Sequence, residues 1–314
     1  MRLAVRACGI CGSELHAVLE AQERRKPGIV MGHEFAGQVV EVGREVGRCA
    51  VGDRVAVQPL THCGQCPLCQ AGRTNACERR RLYGMTEGLP GGYAERAVVA
   101  EDRVVPIPDE VPFELATLGE PLAVALHAVG RGPTEGVSSV ALVGCGTIGL
   151  MTLVALSTLE VERLFVVDQV AAKLALAEPL GATTLLAGKD DVAATVAQAT
   201  EGRGVDVAIE AVGTSGTAAL VVELARTGGH VTWIGTAQPL VEVNMQTVVA
   251  GEKTIAGSYG YTDADFRQAL DLVAQGRVPA GWIAERRVSL ESAPADLEAL
   301  ASGQWSCVKA VLVP

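Results

Sequence analysis

A chain of 314 residues is longer than one typical hydrophobic core and predicts two domains. Its formal net charge of −10 and pI near 5.1 argue against nucleic acid and anionic membrane as partners. Hydrophobic residues make up 49% but aromatic ones only 4%, so small aliphatic side chains must fill the interior, as in parallel sheet packed between helices.

The chain opens Met-Arg-Leu-Ala-Val-Arg, without a secretory n-region and h-region, and runs straight into Cys8-Gly-Ile-Cys-Gly-Ser-Glu-Leu-His16. Alone, Cys8-x-x-Cys11 reads as half a zinc knuckle, a redox dithiol or two unrelated cysteines. Four of the nine cysteines lie between Cys63 and Cys77, a clustering that predicts metal ligands in a reducing cytoplasm and not a disulfide framework.

From Gly37 to about Pro108, short apolar runs alternate with Gly, Pro and Asp. Strands are expected at Gln38–Val42, Arg54–Val57, Tyr93–Ala100 and Arg103–Ile107, which together predict a compact antiparallel barrel or sandwich. Inserted in it is Cys63-x-x-Cys66-x-x-Cys69, followed by Cys77. Four thiolates complete a tetrahedral zinc and leave no position for a reactant, so this site is read as structural. A redox dithiol, a fortuitous cluster and an iron–sulfur centre remain alternatives. His62 stands beside Cys63, but a closed sulfur set does not need it.

After Pro121 the pattern changes. Strands at Val137–Val143, Leu164–Val167, Thr183–Ala187, Val205–Val212 and His230–Ile234 alternate with helices at Thr147–Leu159, Ala171–Leu180, Asp191–Ala199 and Thr217–Ala225. This is the rhythm of βαβ units in a doubly wound parallel sheet. The run from Gly136 to Leu159 lacks charge and imitates a membrane span, but its glycines and hydroxyls favour a buried strand, tight turn and buried helix. Thr254–Tyr259 is expected to close the sheet edge. A helix at Asp263–Gln275 follows, capped by Thr262 or Asp263. The tail Val308–Val313 is strand-like, with no partner evident from pattern.

Gly144-Cys-Gly-Thr-Ile-Gly149 follows an apolar strand and opens a helix. Its first glycine suits the tight turn, the second admits a pyrophosphate and the third lets helix and strand pack closely. The amides of Thr147 and Ile148 begin the helix, where the dipole favours an anion. Asp168 lies 22 residues after Gly146, placed to hold ribose hydroxyls and to repel a 2′-phosphate, which favours NAD over NADP. The plain alternative is a packing turn without a cofactor.

Taken in order, Cys11-Gly-Ser-Glu-Leu-His16, Gly32-His-Glu-Phe-Ala-Gly37, Gly52-Asp-Arg-Val55, the four-cysteine loop, Gly92-Tyr-Ala-Glu95, Glu120-Pro-Leu-Ala-Val-Ala-Leu-His127 and Gly144–Gly149 resemble the zinc-containing medium-chain alcohol and polyol dehydrogenases. The resemblance covers essentially the whole chain. It implies an α/β two-domain protein: a GroES-like β-rich catalytic domain at 1–128 and 260–314, and a Rossmann NAD-binding domain at 129–259. It implies a catalytic zinc on Cys11, His33 and Glu120, with Cys8 a neighbour only. Glu120 stands where classical alcohol dehydrogenases carry a cysteine, as in the sorbitol, threonine and butanediol dehydrogenase branch. One thiolate, one carboxylate and one neutral imidazole balance the ion and leave a position open. An acid before Pro121 that merely favours a helix dipole is the plain alternative for Glu120.

By the same likeness Glu34 is a near-zinc glutamate, Ser13 receives the alcohol proton, and His16 ends the relay toward solvent. Ser13 has a plain alternative as a turn hydroxyl, and His127 is given a packing role. Glu14 replaces the family's usual Asp behind the zinc histidine, one methylene longer, which is expected to tune the site. Lys309 resembles a basic residue that reaches cofactor phosphates, with an exposed surface lysine as alternative.

The function implied is hydride transfer to NAD from a secondary alcohol of the polyol, hydroxy-amino acid or cyclitol type. About two zinc ions per chain and a cytoplasmic homodimer or homotetramer go with it. A quinone or enoyl reductase is opposed by Cys11, His33 and Glu120. An impaired zinc- and NAD-binding regulator draws on a different feature: relatives carry about two dozen residues of hairpin before the segment matching Met1–Ala7. Either the start lies upstream of Met1 or the barrel exposes a sheet edge.

Overall fold

The computed structural model describes residues 1–20 and 28–314. The chain divides into two compact units, Met1–Ala123 with Tyr261–Pro314, and Val124–Gly260.

The first unit starts with β1 (Arg2–Gly9), helix α1 (Gly12–Glu20), β2 (Glu34–Glu41) and β3 (Arg54–Val57). A two-stranded ribbon of β4 (Leu60–Thr61) and β5 (Arg81–Leu82) brackets the cysteine loop, which carries α2 (Pro67–Gln70). Then come β6 (Arg96–Val98), β7 (Val104–Pro106), α3 (Phe113–Ala116) and α4 (Gly119–Val129). The division between the units falls within α4. Leu3, Val5, Phe35, Val39, Val55, Val57 and Ala97 form one core, because alternate residues of each strand face the same side.

The second unit is built from β8 (Ser139–Val143), α5 (Thr147–Leu156), β9 (Arg163–Asp168), α6 (Ala171–Leu174) and β10 (Thr183–Leu186). It continues through α7 (Val192–Ala199), β11 (Val205–Glu210), α8 (Ser215–Leu224), β12 (Ala225–Trp233), α9 (Met245–Ala250) and β13 (Thr254–Gly257). Its sheet is parallel, in the order β10-β9-β8-β11-β12-β13. The chain winds outward from β8 to β10, then returns to β11 on the other side. That reversal makes a crevice at the carboxyl ends of β8 and β11, where such sheets bind ligands. Every residue of β8 is buried, and so is α5 from Gly149 to Leu156, which accounts for the uncharged run. No helix among the described residues is long and apolar enough to cross a membrane.

The expected helix at Ala171–Leu180 breaks. It ends at Leu174, where the bonds tighten to i→i−3 at Leu176 and Ala177, and resumes as a single 3₁₀ turn at Glu178–Leu180, in which Pro179 has no amide to restore the α ladder. The first unit resumes with α10 (Asp263–Ala274), where Thr262 and Asp265 form a reciprocal capping box. α11 (Ala293–Ala301) and β14 (Val311–Leu312) complete the chain. β1 is the tail's partner: Cys8 pairs with Leu312 and Gly9 with Val311 of β14. Because β6 pairs with Arg2–Ala4 and β2 covers the other side, β1 is not a sheet edge.

Asp206 staples the amino ends of β8 and β11. Its carboxylate accepts the backbone amides and hydroxyls of Ser138 and Ser139 at 2.9–3.1 Å, and Arg226 Nε at 2.8 Å. Burial opposes its charge, but Arg226 and these donors outweigh burial and hold it below the usual 3.8. A depressed folded pKa adds stability above the unfolded value, lost as pH falls further. Asp206→Asn is therefore expected to lower the melting temperature at neutral pH, with the gap to the parent closing toward about pH 2. Thermal melts across pH check this.

Candidate active site

Cys11 sits at the end of the turn from β1 into α1, and His33 immediately precedes β2, so paired strands bring them together across 22 residues of sequence. One ligand atom each from Cys11, His33 and Glu34 lies within 4.8 Å of the others. Glu14, fully buried in the first turn of α1, ties both segments down. One oxygen takes the Gly32 amide at 2.9 Å and meets His33 Nδ1 at 3.0 Å; the other accepts the Cys11 amide at 3.1 Å and the Tyr93 hydroxyl. Burial pushes the Glu14 carboxyl up, but His33, Tyr93 and the Cys11 amide prevail and hold it at about 2. One buried carboxylate thus serves four partners across two segments of chain.

With Nδ1 committed to Glu14, Nε2 is the His33 nitrogen left for a metal. Burial disfavours a charged ring, yet Glu14 and Cys11 raise its proton affinity well above the ordinary value. Surroundings that would hold a proton there suit a cation. Glu120 lies outside the close group. It is buried, and its carboxyl is pushed up to about 7, first by burial and then by Glu34, against the pull of His33, Tyr261 and Lys309. The Tyr261 hydroxyl beside it is buried without a well-formed hydrogen bond. Thiol, imidazole and carboxylates together fit a zinc ion.

Ser13 and His16 are exposed, three residues apart on one face of α1. The Ser13 hydroxyl lies 3.3 Å from Cys11 Sγ. Cys8 is buried, and His127 is half-buried in α4. Lys309 is neither exposed nor turned to a phosphate: it is buried against Glu34, a correction to both sequence readings. Sequence reasoning also missed Tyr93 and Tyr261 as polar neighbours of the site. Tyr93 had a signal, the Gly92-Tyr-Ala-Glu95 motif; Tyr261 had none.

In the cysteine loop, sulfurs stand 3.4 Å apart for Cys66–Cys69 and 3.9 Å apart for Cys63–Cys69 and Cys66–Cys77. A zinc tetrahedron with bonds of about 2.3 Å has edges of about 3.8 Å, so the four sulfurs fit one. All nine cysteines are free. Backbone amides, that of Gln65 foremost, lower Cys63 to about 6, while burial and the neighbouring sulfurs push Cys69 to about 12. His62 does not join them; its Nε2 lies 3.1 Å from Asp263.

The glycine turn follows β8. Gly144 has φ +102°, and a Cβ on Gly149 would meet the Gly144 carbonyl oxygen at 2.0 Å, whereas one on Gly146 would meet nothing within 4 Å. The open side of Gly146 faces a helix start that no side chain caps, which fits an incoming pyrophosphate. Thr147 and Ile148 open α5. Asp168, ending β9, accepts the Cys145 amide at 2.7 Å and the Val170 amide at 2.9 Å. Gly149→Ala is expected to destabilise the protein by about 1–3 kcal/mol through overpacking. Gly146→Ala should fold normally and weaken dinucleotide binding; melting curves and NADH titration separate the two.

A family model described as "Alcohol dehydrogenase GroES-like domain" matches residues 1–109, and one described as "Zinc-binding dehydrogenase" matches residues 147–275. The chain is 33% identical over 305 residues to (R,R)-butanediol dehydrogenase of Bacillus subtilis, covering 93% of this chain and 86% of that protein. It is 30% identical over 318 residues to sorbitol dehydrogenase of the same organism, covering 99% and 89%. A Sinorhizobium meliloti structure assigned to the zinc-binding dehydrogenases, with NADP bound, superposes with TM-score 0.91 at 34% identity, over 100% of this chain and 92% of that one.

Proposed function

Because the chain belongs to the zinc-binding alcohol dehydrogenases, we propose that it oxidises a secondary alcohol of the polyol, hydroxy-amino acid or cyclitol type and passes the hydride to NAD. The observation that carries this reading is the convergence of Cys11, His33 and Glu34 within 4.8 Å above the buried Glu14. Cys11, His33 and Glu120 would hold a zinc ion, whose Lewis acidity makes an alcohol proton easier to remove. Glu14 fixes the His33 ring with Nε2 toward the ion. Ser13 receives the alcohol proton, and the exposed His16 on the same helical face hands it to solvent. Glu34 stands in reserve near the ion.

In the second unit, Gly144, Gly146 and Gly149 shape the turn, and the amides of Thr147 and Ile148 meet the pyrophosphate. Asp168 takes the ribose hydroxyls, and its charge supports NAD over NADP. Cys63, Cys66, Cys69 and Cys77 hold a second, structural zinc. Nine free cysteines support a reducing, cytoplasmic location. The edge strand β13, with exposed Leu240, Met245, Val249 and Tyr259 in the same unit, supports a homodimer or homotetramer.

Zinc-loaded protein is incubated with NAD and a panel of polyols, L-threonine and simple alcohols, and NADH absorbance is followed. The reading expects NADH with at least one polyol or with L-threonine. Silence across the whole panel with both NAD and NADP would sink it.

A further inference from the structure

His62 immediately precedes the first ligand of the cysteine loop and turns away from the sulfurs. Its Nε2 meets Asp263 Oδ2 at 3.1 Å, while Nδ1 is buried with no partner among the described residues. A buried ring nitrogen left unpaired costs free energy, so this placement is not one that stability alone selects. Asp263 is equally committed. It opens α10, but Thr262 and Asp265 already cap that helix, and the Asp263 carboxylate turns instead to the segment that feeds the loop. Gln58 Nε2 donates to its Oδ1 at 2.6 Å, and the buried Arg103 faces its two oxygens at 3.4 and 3.5 Å. Arg103 also donates to the Leu60 carbonyl at 3.1 Å.

The same few residues extend to Glu120. Tyr261, two positions before Asp263, is buried, and its hydroxyl lies between the Glu120 carboxyl and the Leu60 amide. Its ring stacks on Phe266 of α10, with centroids 5.7 Å apart. α10 touches the Glu120 segment again at Gly119, where a Cβ would lie 2.6 Å from Leu270 Cδ2. Leu60, Thr61, His62 and Cys63 are consecutive. One short stretch of chain therefore runs from the Tyr261 hydroxyl to the cysteine loop, and Asp263 grips it midway.

We propose that His62 and Asp263 couple the cysteine loop to the open metal site: with the loop metal-bound, Cys63 fixes His62, His62 fixes Asp263 and the start of α10, and Tyr261 thereby holds Glu120 in place. His62 and Asp263 are positioning residues and bind neither ion. This rests on the zinc dehydrogenase reading above. A buried carboxylate set in advance binds an ion more tightly than one that must be ordered on binding, and partners behind a ligand commonly change metal affinity about 10–100-fold. Such coupling is reciprocal, so an ion at Glu120 also steadies the loop.

The test uses the full-length protein with zinc kept in the cysteine loop and the open site stripped by mild chelation. Cobalt(II) is titrated in and followed by its thiolate-to-metal band, with loop zinc checked by metal analysis. His62→Ala and Asp263→Asn should each keep the loop zinc yet bind cobalt at least about fivefold more weakly. The double variant should bind no more weakly than the weaker single one, since both act through one contact. Replacing the loop zinc by cadmium, a larger ion, should shift the parent's cobalt affinity and leave that of His62→Ala unchanged, which a merely structural role for His62 would not do. Variants that bind cobalt as the parent does, additive losses, a parent indifferent to cadmium, or a cadmium effect that survives in His62→Ala overturn the proposal. Should His62→Ala lose its loop zinc or fail to fold, Asp263→Asn takes its place in both measurements, because it leaves the loop sequence intact. A parent protein with no thiolate-to-cobalt band at all would instead defeat the metal reading on which the proposal stands.

Discussion

Replacing His33 by alanine is expected to lower kcat/KM for the alcohol by at least about a thousandfold, the several kcal/mol that a Lewis-acid metal contributes. The imidazole is the one neutral donor in the close group, and Glu14 spends one oxygen holding it at 3.0 Å. Its removal leaves two anionic donors on separate segments, and behind them a buried Glu14 carboxylate that keeps the Gly32 and Cys11 amides and the Tyr93 hydroxyl but loses the imidazole. Zinc content should fall from about two ions per chain to about one. NADH binding, which the proposed function assigns to the Gly144–Gly149 turn and Asp168, should persist. Steady-state kinetics, metal analysis and NADH fluorescence together check the variant. Loss of NADH binding as well would mean that the protein had unfolded.

Cys66→Ser is expected to act on stability instead of chemistry. The cysteine loop has no core of its own: α2, which follows Cys66 directly, buries none of its residues. The metal must supply the cross-links that apolar packing does not, and structural zinc contributes free energy to folding outright. The melting temperature should fall by about 10 °C or more, with loss of the more tightly held ion. Chelator treatment of the parent should reproduce the shift only under conditions that strip both ions. A Cys66→Ser protein that melts with the parent and keeps both ions would contradict the structural assignment.

What could be read from the sequence divides along chain separation. The four-cysteine site was legible because its ligands are local: the spacing alone brings Cys63, Cys66, Cys69 and Cys77 to one loop. The glycine turn was legible as a turn for the same reason, since strand, glycines, helix and Asp168 fall within one βαβ unit. Cys11 and His33 stand on different elements, and only the family resemblance paired them. Lys309 carried no usable signal. Its contact with Glu34 spans 275 residues and depends on the tail returning to pair with β1, a register no local pattern encodes. The helix expected at Ala171–Leu180 stops at Leu174, and apolar periodicity does not encode the Pro179 that keeps the α ladder from resuming beyond it.

The central claim is that a labile metal at Cys11 and His33 drives alcohol oxidation, separate from a tight one in the cysteine loop. The most direct measurement is graded chelation, with zinc content and NADH production followed on the same samples. Activity should fall in step with loss of the first ion, while the melting temperature holds, and should return on adding zinc or cobalt. Full activity after that ion has gone, or a single tightly held ion in active protein, would contradict the claim.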